Sequence, residues 1–255
     1  MKKYEQATDI KNHNVTSFKE EFLMGRPNYQ FTYNVDMVFV IDATGSMGNV
    51  IDMVKNNALN FYNDMCAEMI KKNKNVSQLR VRVVAFRDYI ADGDEAMLVT
   101  DFFNLPEMSE DFERCVRSLT AKGGGDEPED GLEGLAYAIK SKWSLPDNKT
   151  TKARHVIVVW SDASTHDLGY GKSEPNYPKN MAKDIGELTA WWGDKQNPGY
   201  MDQKSKRLLL YTPEEKGWSY ISDNWDNVIH FPSIAGEGLE EHDYSEIINT
   251  IACSI

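Results

Sequence analysis

Asp42, Thr44 and Ser46 place three oxygen-bearing side chains at alternate positions of the stretch VDMVFVIDATGSM, residues 35–47. A D-x-T-x-S spacing lets alternate side chains converge on one point. A donor set made only of oxygens suits a hard cation, above all Mg²⁺, which takes few protein ligands and keeps several waters. The same hydroxyls are also ordinary turn chemistry, so the pattern gains weight only from the elements around it.

Those elements are legible. Met37–Ile41 is a short apolar run rich in β-branched residues and without polar alternation. It predicts a strand buried on both faces, as in a parallel sheet with helices on either side. After the turn, Met47, Val50, Ile51, Val54, Ala58, Phe61, Met65 and Met69 fall on one helical stripe. The acid and the hydroxyls therefore sit where a central strand passes into a helix, the usual ligand position of an open α/β sheet.

Downstream, Leu79–Phe86 predicts a second strand, ending on Arg87-Asp88-Tyr89. A short turn then leads to Met97–Phe103, which must run antiparallel at a sheet edge because the connection is so brief. Ser109–Leu119 reads as an amphipathic helix. In GGGDEPEDGLEGL (123–135), three glycines free the backbone. There Asp126 is placed to cap a helix, with Pro128 in its first turn and Glu129 completing a capping box. That helix is expected to run to about Trp143. Arg154–Trp160 is a fourth strand, followed by Asp162 in SDASTHD. Residues 167–205 form a long polar insertion with a helix near Met181–Trp192. Arg207–Tyr211 and Val228–Phe231 are the last strands, with helices at Trp218–Trp225 and Tyr244–Ala252. This alternation predicts an α/β, doubly wound, mostly parallel six-stranded sheet with one antiparallel edge strand and helices on both faces. Residues 1–34 read as an N-terminal extension to a domain at 35–255.

DATGSM and this order of elements resemble the von Willebrand factor A domain family and its metal-ion-dependent adhesion site. The resemblance implies a metal site built from three loops: Asp42, Thr44 and Ser46 from the first, Asp162 from the third, and Asp126 where the family's second loop offers a threonine. Asp126 is then either a ligand or only a helix cap. The resemblance also implies Mg²⁺ as the cofactor, with Mn²⁺ or Ca²⁺ as alternatives, and a protein partner whose acidic side chain completes the coordination sphere. GGGDEPED, RDY and DAxxH together resemble a bacterial and lower-eukaryotic intracellular branch of the family, in which some relatives act beside protein kinases and stress-response proteins.

Other signals read more plainly. His166 is expected at the rim, because its nitrogen suits zinc or copper better than a hard cation. Arg87 and Asp88 are expected in an ion pair. Trp191-Trp192 is either packing for a lid or part of a partner surface. There is no GxxxxGK[ST] loop, no GxGxxG after the strand, and no Ser-His-Asp or Cys-His arrangement. A phosphoaspartate hydrolase would need a second acid at the position held by Thr44.

The net charge of −12 argues against a phosphate-backbone partner. Cys66, Cys115 and Cys253 lack metal or disulfide spacing and are expected as reduced, mostly buried thiols. With no apolar leader and no 18-residue apolar run, the reading is a cytoplasmic chain without a membrane span. The expected function is a non-enzymatic, metal-dependent protein-interaction module. The alternatives are a metal-dependent phosphoester hydrolase and a scaffold in which the metal is only structural.

Overall fold

A computed structural model describes residues 31–125, 127–145, 150–236 and 243–255, and residues 31–255 form one compact unit. The central strand β1 (Thr32–Asp42) pairs in parallel with β2 (Asn75–Phe86) on one side and β5 (Thr151–Trp160) on the other. The sheet continues in parallel through β6 (Lys206–Pro213) to β7 (Val228–Ser233). Two short strands, β3 (Met97–Val99) and β4 (Phe103–Leu105), both run antiparallel to β2.

The expected antiparallel edge is thus present but split, giving seven strands rather than six among the described residues. Thr100 causes the split. Its backbone N donates to Val83 O, and its hydroxyl accepts from Val83 N, so a side chain takes over the ladder there.

Side chains of β1 alternate between two cores. Val35, Met37, Phe39 and Ile41 face the helices α1 (Gly48–Asn57), α2 (Phe61–Lys71), α4 (Ser109–Ser118) and α8 (Tyr244–Ser254). Val38 and Val40 face α5 (Gly131–Ile139), α6 (Ile185–Trp192) and α7 (Trp218–Asn224). Burial on both faces explains why the strand lacks polar alternation. Each fully buried large side chain here stabilises the fold by about 1.5–3 kcal/mol.

The long apolar stripe of residues 47–69 is carried by α1 and α2, with a break at 58–60. Asn57 sends its side-chain amide back to Met53 O, a local bond that competes with the helix ladder. At the opposite end of β1 from the metal motif, the buried carboxylate of Asp36 accepts two bonds from Arg80 at 2.7 and 2.6 Å and one from Ser144 N. The three cysteines form no disulfide, but Cys66 and Cys115 are only partly buried and Cys253 is exposed. Among the described residues, no helix is long and apolar enough to cross a membrane.

Candidate metal centre

β1 delivers Asp42 to the C-terminal edge of the sheet with no exposed surface. Its Oδ1 accepts from Thr44 N at 2.9 Å and from Thr44 Oγ1 at 2.6 Å, and its Oδ2 accepts from Ser161 Oγ at 2.7 Å. Ser46 lies in a 3-10 turn, Gly45–Met47, and its hydroxyl donates to Asp162 Oδ1 at 2.8 Å. Register makes this possible: Ile41 pairs with Trp160, so Ser161 comes level with Asp42 and Asp162 follows at once. Asp42, Thr44, Ser46 and Asp162 are therefore brought together, while Asp126 lies outside the described residues. Ser161 escaped the sequence reading, although it stands directly before Asp162.

Burial pushes the Asp42 carboxyl up to about 6 against the two hydroxyl donors, and the charge of Asp162 adds to the rise. Among the described residues, Asp42 takes its hydrogen bonds from two hydroxyls and one amide, with no cationic side chain among the donors.

The glycine-rich loop closes over this turn. Gly124 adopts φ +93°, and a Cβ there would lie 2.4 Å from Glu129 Oε1 and 2.6 Å from Thr44 Cγ2. Only glycine lets the backbone pass so close in that conformation. Glu129 is buried, and its Oε2 has no hydrogen-bond partner. Burial, with the charges of Asp42, Asp88, Asp92 and Asp130, drives its carboxyl up to about 9.

Of the capping box expected of Asp126 and Glu129, Asp126 lies outside the described residues. Helix α5 begins at Gly131 with Asp130 in the N-cap position. Glu129 makes a parallel bridge to Thr165, and the first-turn amide of Leu132 is met by Thr165 Oγ1 at 3.2 Å.

Beside this, a second constellation joins three loops. Asp88, Asp130 and His166 each bring one ligand-type atom within 4.8 Å of the other two. Asp88 uses Oδ1 to cap the short helix α3 (Tyr89–Asp92) through Ile90 N and Ala91 N. That leaves Asp88 Oδ2 for His166 Nε2 at 2.9 Å. Asp130 Oδ2 accepts from Tyr89 N at 2.6 Å, whereas its Oδ1 is buried without a partner. Backbone bonds stitch the loops: Asp130 N to Arg87 O, Glu129 N to Ser164 O and His166 N to Glu129 O. Arg87 does not pair with Asp88 as expected. Its guanidinium donates to the carbonyls of Ala43, Glu95 and Thr120 and clamps the loops around Asp42. His166 is nearly buried rather than a free rim residue, and its ring stacks on Tyr170 at 3.8 Å.

The insertion covers this acidic layer. Glu133, fully buried on α5, accepts at Oε1 from Gly169 N and Tyr177 OH, and its Oε2 has no partner. Asn176 donates to Gly93 O, and Tyr177 packs edge-on against Tyr89. Trp191 and Trp192 are buried in the core, which decides their role as packing. Buried Lys206 donates to the carbonyls of Trp192 and Gly193 at the end of α6, where a cation offsets the helix dipole.

Comparison with known proteins agrees with this architecture. A family model described as von Willebrand factor A domain matches residues 36–170, more than half of the chain. Alpha-protein kinase vwkA of Dictyostelium discoideum is 26% identical over 144 residues, which are 56% of this chain and 21% of the kinase. The chain thus spans about a fifth of the length of that relative. Among solved structures, the pilus adhesin SpaC of Lactobacillus rhamnosus GG aligns with TM-score 0.45 and 13% identity, over 87% of this chain and 30% of the adhesin. Proximal thread matrix protein 1 of the mussel byssus aligns with TM-score 0.44 and 10% identity, over 88% and 49% of the two chains. Domains of the matching family are in general interaction modules. With that family model matching more than half of its length, the chain belongs to the von Willebrand factor A domain family.

Proposed function

We propose that this chain is a divalent-metal-dependent protein-interaction module acting inside the cell. Asp42, Thr44, Ser46 and Asp162 are the residues that would hold Mg²⁺, and Asp126 is a further candidate. The observation that carries the reading is the convergence of these four side chains at the adjacent ends of β1 and β5.

The donor set fits the ion. It is all oxygen, carries the charge of two buried carboxylates, and has the partnerless Oε2 of Glu129 near Asp42. When bound, the ion supplies a coordination position open to an oxygen donor of a partner protein. The chain's own part is orientation: Thr44 and Ser161 fix both oxygens of Asp42, Ser46 fixes Asp162, and Gly124 keeps the loop above Thr44 close-packed. Mn²⁺ and Ca²⁺ share the preference for oxygen and are the alternatives.

A partner from kinase or stress-response machinery suits this reading, since the matched relative is itself named as a kinase. The hydrolase alternative lacks support at Thr44, whose hydroxyl is held on Asp42 where a second acid would be needed.

The test is capture of partners by the tagged full chain in Mg²⁺ and in chelator, with Asp42→Ala as control. Partners that bind only in Mg²⁺ and only to the wild type support the proposal. A partner set unchanged by both chelator and substitution refutes it.

A further inference from the structure

The three motifs RDY, PED and DAxxH each lend one residue to the same place, and none of those three residues, Asp88, Asp130 and His166, belongs to the first metal centre. Asp88, Asp130 and His166 come from three loops far apart in sequence, yet their ligand-type atoms lie within 4.8 Å of one another. The placement is built from both sides. Asp88 spends Oδ1 on the cap of α3, which turns Oδ2 toward His166 Nε2. Asp130 is fixed by Tyr89 N through Oδ2.

An independent observation points to a ligand. Asp130 has no exposed surface, and its Oδ1 is buried without a hydrogen-bond partner. An unpaired buried carboxylate oxygen costs free energy unless something positive meets it. Among the described residues, the ion pairs formed by lysine and arginine do not involve Asp88 or Asp130. Behind Asp130, the partnerless Oε2 of buried Glu133 adds to the deficit.

We propose that Asp88, Asp130 and His166 form a second cation site, distinct from the all-oxygen centre and selective for a borderline dication of the zinc class. One imidazole nitrogen with two carboxylates is a donor set for zinc rather than magnesium. Ligands around a tetrahedral zinc are separated by about 3.4 Å, given bond lengths near 2.1 Å. The cluster already sits at that scale, with 2.9 Å between His166 Nε2 and Asp88 Oδ2. The ion would take the place of the proton shared by those two atoms. Access is along the edge of His166, the least buried of the three. The proposal does not depend on what the first centre binds.

The test is zinc titration into the chelator-stripped full chain in excess Mg²⁺, read by competition with a zinc dye. One zinc per chain is expected. Asp130→Asn keeps an acceptor for Tyr89 N, and with His166→Asn it should weaken zinc by more than about 100-fold, since losing even a group that only orients a ligand costs about 10–100-fold. Asp42→Ala should leave zinc binding intact. Cobalt replacing zinc should give the visible bands of a nitrogen-and-oxygen site, without the charge-transfer band of a cysteine thiolate. Far-UV spectra check the folding of each variant, and zinc-edge anomalous diffraction from wild-type crystals locates the ion without any variant. No zinc binding beyond that in denatured chain overturns the proposal. So do a thiolate band, loss of zinc in Asp42→Ala, or an anomalous peak away from these three residues.

Discussion

Replacing Glu133 with Gln should stabilise the metal-free protein increasingly as pH rises from about 4.5 to 7, with the full gain held above that. Glu133 has no exposed surface; burial raises its carboxyl from 4.5 to about 7, against the opposing donors Gly169 N and Tyr177 OH. A carboxyl raised in the folded state binds its proton more tightly there than in the unfolded chain. Stability is therefore gained as pH falls from about 7 toward 4.5 and lost as pH rises through about 7. At about 1.4 kcal/mol per pH unit, the ionised form costs the fold about 3 kcal/mol. Gln keeps an acceptor for Gly169 N and Tyr177 OH and carries no charge. Thermal unfolding in chelator should show the variant ahead by about 6–12 °C at pH 8.5, since each kcal/mol shifts a domain of this size by about 2–4 °C. At pH 4.5 the two curves should coincide. A gap that is the same at both pH values, or a variant weaker at pH 8.5, would refute the reasoning that an uncompensated charge lies under the insertion.

Two further substitutions make independent tests. Arg80→Met leaves the buried Asp36 carboxylate with only its bond from Ser144 N, so urea unfolding should show a loss of about 3–5 kcal/mol. A loss under about 1 kcal/mol would show that the pair is no more than a surface bridge. Asp126→Thr removes a carboxylate while keeping an oxygen in the second loop. Weaker Mg²⁺ binding with gained affinity for an acidic peptide would mark Asp126 as a ligand, and unchanged metal affinity would remove it from the centre.

The convergence of Asp42, Thr44, Ser46 and Asp162 is legible in the sequence because most of it is local. Asp42, Thr44 and Ser46 lie within one turn, and Asp162 follows a strand whose unbroken apolar run marks it as central. The parallel neighbours β1 and β5 then had to bring the acids together. What escaped depended on partners distant in the chain. Helix α5 starts at Gly131, later than the sequence suggests, where Thr165 offers Glu129 a backbone bridge and caps Leu132 from another loop. The stripe across α1 and α2 keeps its helical period, yet the helix breaks at 58–60, just after Asn57 turns its side-chain amide back to Met53 O. Thr100 breaks the edge strand with its hydroxyl. His166 looked isolated because its partner Asp88 is 78 residues away and reaches it only through the packing of three loops.

The central claim is that the ends of β1 and β5 hold a divalent cation, and the melting temperature with and without Mg²⁺ tests it most directly. A ligand at 100 times its dissociation constant stabilises by about 2.7 kcal/mol, or about 5–11 °C for a domain of this size. Wild type and Asp130→Asn should both show such a rise in millimolar Mg²⁺, while Asp42→Ala and Asp162→Ala should show none with unchanged far-UV spectra. A wild-type protein indifferent to Mg²⁺, or a rise that survives in both alanine variants, would contradict the account.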